Sequence, residues 1–333
     1  MNKYDVYGVG NALVDTEYEV HEKFLTEANL PKGMMTLIEE EDRERLIYLL
    51  EQKHEHEVIK LSGGGSAANT IVAIAQFGGS TFYSCKVASD ETGDFFMKDL
   101  KEAGVHTNLD QGREAGKTGA CISMVTSDAE RTMTTHLGIT QDLSPNELVP
   151  EALENSRYLY IEGYLVTSST GYEAALEAQR IAKRNGVLVS VTLSDPAMVS
   201  NFKSSFNELA ENGIDLLFCN EDEAKLWTGK DDRHEAIKAL TERCAQFAMT
   251  CGKEGAIVYD GNEVKMVEGV PAKAVDTTGA GDMFAGAFLH AICQGKSFTD
   301  AATLANKAAA LLVTNFGARL PTNEIKTQLV SAM

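Results

Sequence analysis

One ten-residue stretch carries residue types that could handle a phosphoryl group: Val-Asp-Thr-Thr-Gly-Ala-Gly-Asp-Met-Phe at 275–284. It joins a strand-like run to a predicted helix that continues to about residue 294 and stops at Gly295. The first amides of a helix lack internal partners and carry partial positive charge, so they bind anions, phosphate above all. The small residues Gly279, Ala280 and Gly281 would let a ligand approach these amides closely.

Asp282 lies in the first turn of this predicted helix. A carboxylate repels a resting phosphate, but it suits a reaction in which a proton leaves a hydroxyl beside a phosphoryl group in transfer. We therefore expect phosphotransfer, with Asp282 as the base and the amides of residues 279–281 as an anion hole. The alternative is an ordinary glycine-rich helix start whose aspartate only complements the helix dipole.

The stretch resembles the C-terminal signature of the ribokinase-like (PfkB) carbohydrate kinases, a family that includes adenosine kinases. The resemblance extends over nearly the whole chain, and no Walker-type phosphate loop is present. It implies a three-layer α/β/α fold with a mostly parallel central sheet and a small β-sheet lid. It also implies that ATP and Mg²⁺ are used. Some members of the family bind K⁺ near the loop equivalent to Asp276, so K⁺ is a further candidate cation.

Two N-terminal segments extend the resemblance. Ser-Gly-Gly-Gly-Ser-Ala-Ala-Asn at 62–69 follows a predicted strand and opens a buried helix, where a flexible linker would be out of place. Gly-Asn-Ala-Leu-Val-Asp at 10–15 resembles the first-strand segment of the family, in which the aspartate binds substrate hydroxyls. A carboxylate can accept two hydrogen bonds from a vicinal diol, although a surface aspartate at a strand end is the alternative. The implied acceptor-binding residues are Asn11, Asp15, Gly64, Gly65 and Asn69.

Later motifs resemble the parts of the family that hold the nucleotide. Asn220 and Glu223 match an Asn-x-x-Glu motif in which the glutamate reaches Mg²⁺ through water, although the pair could equally be a helix capping box. Thr250, Gly252 and Gly255 match a turn over the nucleotide phosphates. Asn306 falls where the family lines the adenine pocket, but it could also be a satisfied core amide.

The chain order predicts one large unit and a small appendage. From residue 145 onward, strand-like and helical runs alternate, which predicts right-handed βαβ crossovers and a mostly parallel sheet. Alternating runs at 119–126 and 131–137 predict a hairpin in a separate small sheet, which the resemblance implies is the lid and often a dimer contact. The expected division is a large kinase domain of about 1–10, 41–112 and 139–333 with a lid of about 11–40 and 113–138. Arg131 in the hairpin could reach into the site or remain solvated.

Composition excludes some partners. The 333-residue chain has a formal net charge of −19, which disfavours nucleic acid and anionic membranes as partners. No apolar run is long enough to span a membrane, and no N-terminal signal pattern is present. Six scattered cysteines favour a reducing compartment, so we expect a cytoplasmic protein, either a monomer or a lid-mediated homodimer.

The acceptor is the least determined part of the interpretation. A ribose-like diol would satisfy the N-terminal motifs whether it belongs to free ribose, fructose, a related sugar or a nucleoside. Leu-Ser-Asp-Pro at 193–196 resembles the adenosine-kinase branch, so we expect phosphorylation of the primary hydroxyl of a nucleoside, adenosine first. The alternatives are a sugar kinase and, more remotely, a nucleotide- or sugar-binding regulator without turnover.

Overall fold

Two β-sheets organise the chain in the computed structural model, which describes residues 3–128 and 130–329. Ala129 of the predicted hairpin connection, and residues 1, 2 and 330–333 of the predicted large domain, lie outside the described residues. The strands are β1 (Tyr4–Val9), β2 (Leu13–Glu19), β3 (Met35–Leu37), β4 (Val58–Gly64), β5 (Thr81–Ser84), β6 (His106–Thr107), β7 (Gly119–Val125), β8 (Arg131–His136), β9 (Ser156–Ile161), β10 (Leu188–Thr192), β11 (Leu216–Asn220), β12 (Gln246–Thr250), β13 (Gly255–Tyr259) and β14 (Val264–Glu268).

The large sheet has nine strands in the order β14-β13-β12-β11-β10-β9-β1-β5-β6. The run from β12 to β6 is parallel, and β13 and β14 add an antiparallel edge. Its central strands are continuous apolar runs, such as Leu-Leu-Phe-Cys in β11, because both faces of a parallel sheet are covered.

Helices cover both faces of the large sheet, which confirms the predicted three-layer α/β/α architecture. One apolar cluster joins the sheet to α3, α4, α11 and α12, and another joins the opposite face to α6, α8, α9 and α10. No helix within the described ranges is long and apolar enough to cross a membrane. The helices are α1 (Glu22–Glu27), α2 (Glu40–Ile47), α3 (Ser66–Gln76), α4 (Glu91–Glu102), α5 (Pro150–Glu154), α6 (Ser169–Arg184), α7 (Pro196–Asn201), α8 (Lys203–Glu211), α9 (Glu221–Thr228), α10 (Arg233–Arg243), α11 (Ala280–Cys293), α12 (Phe298–Leu312) and α13 (Thr322–Gln328).

The small sheet has five strands in the order β3-β8-β7-β2-β4. The expected hairpin is present, because β7 and β8 pair antiparallel. The structure differs from the predicted division at β4, which was assigned to the large domain but pairs antiparallel with β2. Helix α2 also belongs with the small sheet, because Leu46 packs in the same apolar cluster as Tyr18 and Ile122.

The carboxyl ends of the central strands form the edge where polar residues gather. Strand β1 lies between β9 and β5, so the chain leaves β1 for one side of the sheet first and returns to the other side later. Ligands of open α/β sheets bind at such a switch point, beyond the carboxyl ends of the strands. A ligand site is therefore expected among the segments that follow β1, β9 and β11.

Helices α3 and α11 approach each other closely behind this edge. A Cβ atom built on Gly286 of α11 would lie 2.7 Å from the Cβ atom of Ala73 and 2.8 Å from the backbone oxygen of Thr70, both on α3. Real Cβ atoms do not approach that closely, so the helices can pack this tightly only because residue 286 has no side chain. Glycine at this position therefore sets the separation between the two helices where they cross.

We predict that Gly286→Val lowers the free energy of unfolding by roughly 2 kcal/mol or more, because the new methyl groups force α11 away from α3. Urea unfolding followed by circular dichroism measures this change. Thr303→Val, which places the same side chain at an exposed position of α12, is the matched control and should change stability by less than about 0.5 kcal/mol. Equal urea midpoints for Gly286→Val and the wild type would contradict close packing as the reason for this glycine.

Candidate active site

A cleft of ≈ 490 Å³ lies at the carboxyl edge of the large sheet, beneath the small sheet. Residues after β1, β9 and β10 line it, together with the end of β11 and the first turn of α11. The following predicted site residues line the cleft: Asn11, Asp15, Gly65, Asn69, Asn220, Glu223, Thr250, Gly279, Ala280, Gly281 and Asp282. The distant parts of the sequence that carry the predicted motifs thus converge on one cavity.

Asp282 is held at the base of the cleft by two side chains of α3. Its Oδ1 accepts a hydrogen bond from the Ser66 hydroxyl at 2.6 Å, and its Oδ2 accepts one from the Asn69 amide at 3.0 Å. Burial raises the pKa of Asp282 to about 6, while both hydrogen bonds act in the opposite direction. The carboxyl group is therefore mainly ionised at neutral pH, but it can still take up a proton. Ser66 was not identified in the sequence as a partner of Asp282.

The first turn of α11 presents free amides to the cleft. Gly279 has φ 75°, and a Cβ atom there would lie 2.7 Å from the Cα and Cβ atoms of Ala318. The Ala280 amide donates to the Thr277 carbonyl at 3.2 Å. The amides of Gly279 and Gly281 have no acceptor among the described residues. Two of the three amides predicted as an anion hole are thus available to a ligand, and the third closes the turn.

An ion pair fastens the loop before α11 to the small sheet. Asp276 accepts hydrogen bonds from the amides of Thr278 at 3.0 Å and Gly317 at 2.7 Å. The Arg131 guanidinium lies 2.9 Å from Asp276 and 2.8 Å from Glu17. Arg131 thus neither remains solvated nor lines the cleft, because its charge is matched by these two buried carboxylates.

The glycine run before α3 leaves room for polar groups. A Cβ atom on Gly64 would collide with the carboxylate of Asp15, which explains why residue 64 is a glycine. Gly64 itself does not line the cleft. Gly65 has φ 99°, and a Cβ atom there would collide with the carbonyl oxygen of Asn11. Asp15 faces the cleft, and burial raises the pKa of its carboxyl group to about 6. The run is therefore a tightly fitted turn rather than a linker.

Glu162, which the sequence reasoning missed, lies at the same end of the cleft. Its Oε1 accepts a hydrogen bond from the Asn11 amide at 2.8 Å, and its Oε2 accepts one from the backbone amide of Ala67 at 2.9 Å. Burial raises the pKa of Glu162 to about 7. The available signal was its position directly after the apolar strand β9.

Arg319 is a second residue that the sequence reasoning missed. Its Nε–H donates to Asn69 Oδ1 at 2.8 Å, and its Nη1 pairs with Asp99 of α4. A Cβ atom on Gly63 would lie against this ion pair, so the first glycine of the run makes room for it. The sequence offered no periodic signal for Arg319, because it lies in an irregular segment after α12.

Asn220 and Glu223 occupy the opposite end of the cleft. The Asn220 side chain caps α9 by accepting from the Glu223 amide at 2.8 Å, and both Glu223 oxygens accept from Asn220 at 2.8 and 2.9 Å. The capping-box alternative is thus confirmed, although both residues also line the cleft. Burial raises the pKa of Glu223 to about 7. The described ranges hold no cluster of three acidic, histidine or cysteine side chains that could bind a metal by itself.

Of the other residues predicted to bind the nucleotide, one lines the cleft and three lie outside its lining. Thr250 ends β12 and lines the cleft. Gly252 and Gly255 form the turn that follows, with φ 56° and 109°, outside the cleft lining. Asn306 also lies outside the lining, and its amide donates to the carbonyls of Val267 and Glu268 at 3.1 Å each. Asn306 therefore fits the core-amide alternative, because β14 already takes up its donors.

Apolar side chains of the small sheet and its flanking segments form part of the cleft wall. This wall, which we call the apolar wall, consists of Leu13, Met35, Leu37, Met133 and Leu137. Met35 and Leu37 are 47% and 61% exposed, so a ligand could cover them. The sequence reasoning placed no apolar residues at the acceptor end, because strand register decides which side chains face the cleft.

The chain matches a known family model and the solved structures of similar proteins. Residues 34–325 match the model of the pfkB family of carbohydrate kinases. The structure of an adenosine kinase from Sinorhizobium meliloti matches with a TM-score of 0.87 and 35% identity, covering 99% of this chain and 98% of that one. A probable sugar kinase from Rhizobium etli CFN 42 matches with a TM-score of 0.88 and 34% identity, covering 98% and 99%.

A curated relative points the same way. Ribokinase from Staphylococcus aureus (strain COL) is 29% identical over 278 residues, which cover 81% of this chain and 88% of the ribokinase. The family match covers well over half of the chain, and the two similar structures cover nearly all of it. Together with a cleft assembled from both glycine-rich segments, these matches show that the chain belongs to the pfkB family of carbohydrate kinases.

Proposed function

We propose that this kinase transfers the γ-phosphoryl group of ATP to the primary, 5′-type hydroxyl of a nucleoside, with adenosine as the first candidate. The observation that carries the choice of acceptor is the apolar wall beside Asp15. A nucleobase is a flat and largely apolar ring that gains free energy when such side chains cover it. A free sugar has hydroxyl groups around its whole edge and would leave these side chains without a matching partner.

The alternative acceptor is a free sugar such as ribose or fructose. Similar proteins include both nucleoside and sugar kinases, so the family alone leaves the choice open. The polar groups of Asn11, Asp15 and Asn69 would serve a sugar and a nucleoside ribose equally well. The more remote alternative, a binding protein without turnover, leaves the ionisable Asp282 beside free helix amides without a purpose.

Asp282 is the proposed general base. Its carboxylate takes the proton of the acceptor hydroxyl as the oxygen attacks the phosphoryl group, and the transition state is loose enough for a weak base to serve. The pKa of about 6 keeps Asp282 ionised before the reaction at neutral pH. The hydrogen bonds from Ser66 and Asn69 hold the carboxylate in one orientation.

The start of α11 is the proposed anion hole. The free amides of Gly279 and Gly281 donate hydrogen bonds to phosphoryl oxygens, on which negative charge rearranges during transfer. The positive end of the helix dipole adds to this attraction. The Ala280 amide has a supporting role instead. Its hydrogen bond to the Thr277 carbonyl stabilises the turn that positions the amides of Gly279 and Gly281.

Asp15 and Asn11 are proposed to orient the acceptor. Asp15 forms no side-chain hydrogen bond or ion pair within the described part of the chain, so its carboxylate is free to accept from two ribose hydroxyls. Asn11 is fixed by Glu162, which prepares its position before the acceptor binds. This arrangement reduces the entropy that must be lost when the hydroxyl is aligned for in-line attack.

The nucleotide end is proposed to consist of Asn220, Glu223 and Thr250, with Gly252 and Gly255 shaping the turn beyond them. Mg²⁺ bound with ATP would neutralise phosphate charge, and Glu223 fits a water-mediated contact because its oxygens retain unused lone pairs. Asn306 would support the adenine pocket only indirectly, through β14. At the proposed K⁺ position, Asp276 already forms an ion pair with Arg131, which weighs against a requirement for K⁺.

Two further properties are proposed from the surface and the cysteines. Strand β4 is an edge of the small sheet and exposes Val58, Ile59 and Leu61, which supports a homodimer formed through the small sheet over a monomer.

All six cysteines are buried and free, which supports a cytoplasmic location.

We predict that purified protein with Mg-ATP releases ADP in the presence of adenosine and, more slowly, of inosine or guanosine, because the base contributes binding through the apolar wall. Ribose, fructose and 2-keto-3-deoxygluconate serve as the sugar panel. Coupled ADP detection and mass spectrometry of the product measure turnover and the phosphorylated position. Turnover with a free sugar alone would reject the nucleoside proposal but retain the kinase mechanism.

Met35→Ala is expected to raise the KM for the nucleoside roughly three- to tenfold with little change in kcat, because it removes apolar contact with the base. Steady-state kinetics at saturating ATP measure this change. Met34→Ala is the matched control, because Met34 is the neighbouring residue, is 58% exposed and does not line the cleft. Equal KM values for the two variants would remove the apolar wall from acceptor recognition.

Asp282→Asn is expected to lower kcat by roughly 10²- to 10⁴-fold while ATP still binds, because the amide cannot accept a proton at neutral pH. Initial rates and calorimetric titration with ATP separate the two effects. Asp110→Asn, at an exposed position next to β6, is the control and should leave both unchanged. Full turnover by Asp282→Asn would exclude this carboxyl group as the base.

A further inference from the structure

Arg319 connects the base of the cleft to a helix outside it. The Arg319 side chain is 12% exposed, and its Nη1 pairs with Asp99 on α4. Its Nε–H donates to Asn69 on α3, and the Asn69 amide donates in turn to Asp282 on α11. One line of hydrogen bonds thus runs from Asp99 to Asp282 through two intermediate side chains, Arg319 and Asn69.

The chemistry of the partners determines the orientation of the Asn69 amide. An arginine can only donate hydrogen bonds and an ionised carboxylate can only accept them. The Asn69 oxygen must therefore face Arg319, at 2.8 Å, and its nitrogen must face Asp282, at 3.0 Å. Without Arg319, the amide could rotate by half a turn and direct its oxygen at the carboxylate, which would disfavour the ionised form.

We propose that Arg319 is a positioning residue for phosphoryl transfer, which acts through Asn69 to keep the Asp282 carboxylate oriented and ready to accept a proton. The inference rests on the proposed function, because it requires Asp282 to be the base. Arg319 does not line the cleft, so it acts without touching the acceptor or the nucleotide. This distinguishes it from Asp15 and Asn11, which the proposed function places against the acceptor.

The surrounding charges show why a cation is needed at this position. The titratable groups that interact with Asp282 are Asp15, Tyr83, Tyr160, Glu162, Tyr164 and Arg319. Arg319 is the cation of this set, and it lowers the pKa of Asp15 and of Asp282 against the larger effect of burial. Removing the cation and the aligned donor together should therefore raise the pKa of Asp282 further.

The test is the pH dependence of kcat, measured with Mg-ATP and the acceptor that gives turnover in the panel. The wild type should lose activity as the pH falls through about 6, because Asp282 becomes protonated. In Arg319→Gln this acid limb should move upward by about one pH unit. Arg180→Gln, which removes an exposed arginine paired with Glu177 on α6, should leave the limb in place.

Two further variants separate positioning from general destabilisation. In an Asn69→Ala background, Arg319→Gln should add no further shift, because the connection to Asp282 is already broken. Arg319→Lys keeps the charge but loses the fork that contacts Asn69 and Asp99, so it should shift the limb in the same direction by a smaller amount. Urea unfolding identifies a variant that fails to fold. If Arg319→Gln does not fold, Arg319→Lys provides the test.

The two proposals fail in different ways. A wild-type enzyme whose kcat shows no acid limb between about pH 5 and 7 would overturn the role of Asp282 as base, and this inference with it. A wild-type limb that stays unmoved in Arg319→Gln and Arg319→Lys would overturn the role of Arg319 alone. An equal shift with and without Asn69 would show that Arg319 does not act through the amide.

Discussion

A carboxylate in a poorly solvated cleft needs hydrogen-bond donors, and the structure of this site depends on that requirement. Asp282 meets that requirement through hydrogen bonds from Ser66 and Asn69, which lie on a different helix. Both helices must therefore begin at the same point and pack closely, and Gly286 permits that approach. The two glycine-rich segments, more than two hundred residues apart, are thus the two walls of one site.

Glycines around the cleft make room for polar groups more than they provide flexibility. Gly63 leaves space for the pair of Asp99 and Arg319, and Gly64 leaves space for the carboxylate of Asp15. Gly279 differs, because it takes a left-handed conformation and lies so close to Ala318 that a side chain would collide with it. A packed polar site needs such positions, since buried charges are tolerated only where partners can approach them.

An ion pair joins the small sheet to the loop before α11, and apolar side chains of the small sheet form part of the cleft wall. Arg131 joins the sheet to the loop that precedes α11 through Asp276. The apolar wall approaches the same cleft from the same sheet. Because similar proteins include kinases of sugars and of nucleosides, the proposal of a nucleoside rests on this wall and on the resemblance of Leu-Ser-Asp-Pro at 193–196 to the adenosine-kinase branch.

The sequence by itself determined the family, the alternation of strands and helices, and the residues of both signatures, because these depend on local patterns and on helix termini. It correctly anticipated that Asp282 would lie at the start of a helix and that β7 and β8 would form a hairpin. Tertiary structure alone decided that β4 joins the small sheet, that Asn306 is taken up by β14, and that Glu162 and Arg319 support the cleft. These outcomes depend on strand register and on contacts between residues far apart in the chain, and no local pattern encodes such contacts.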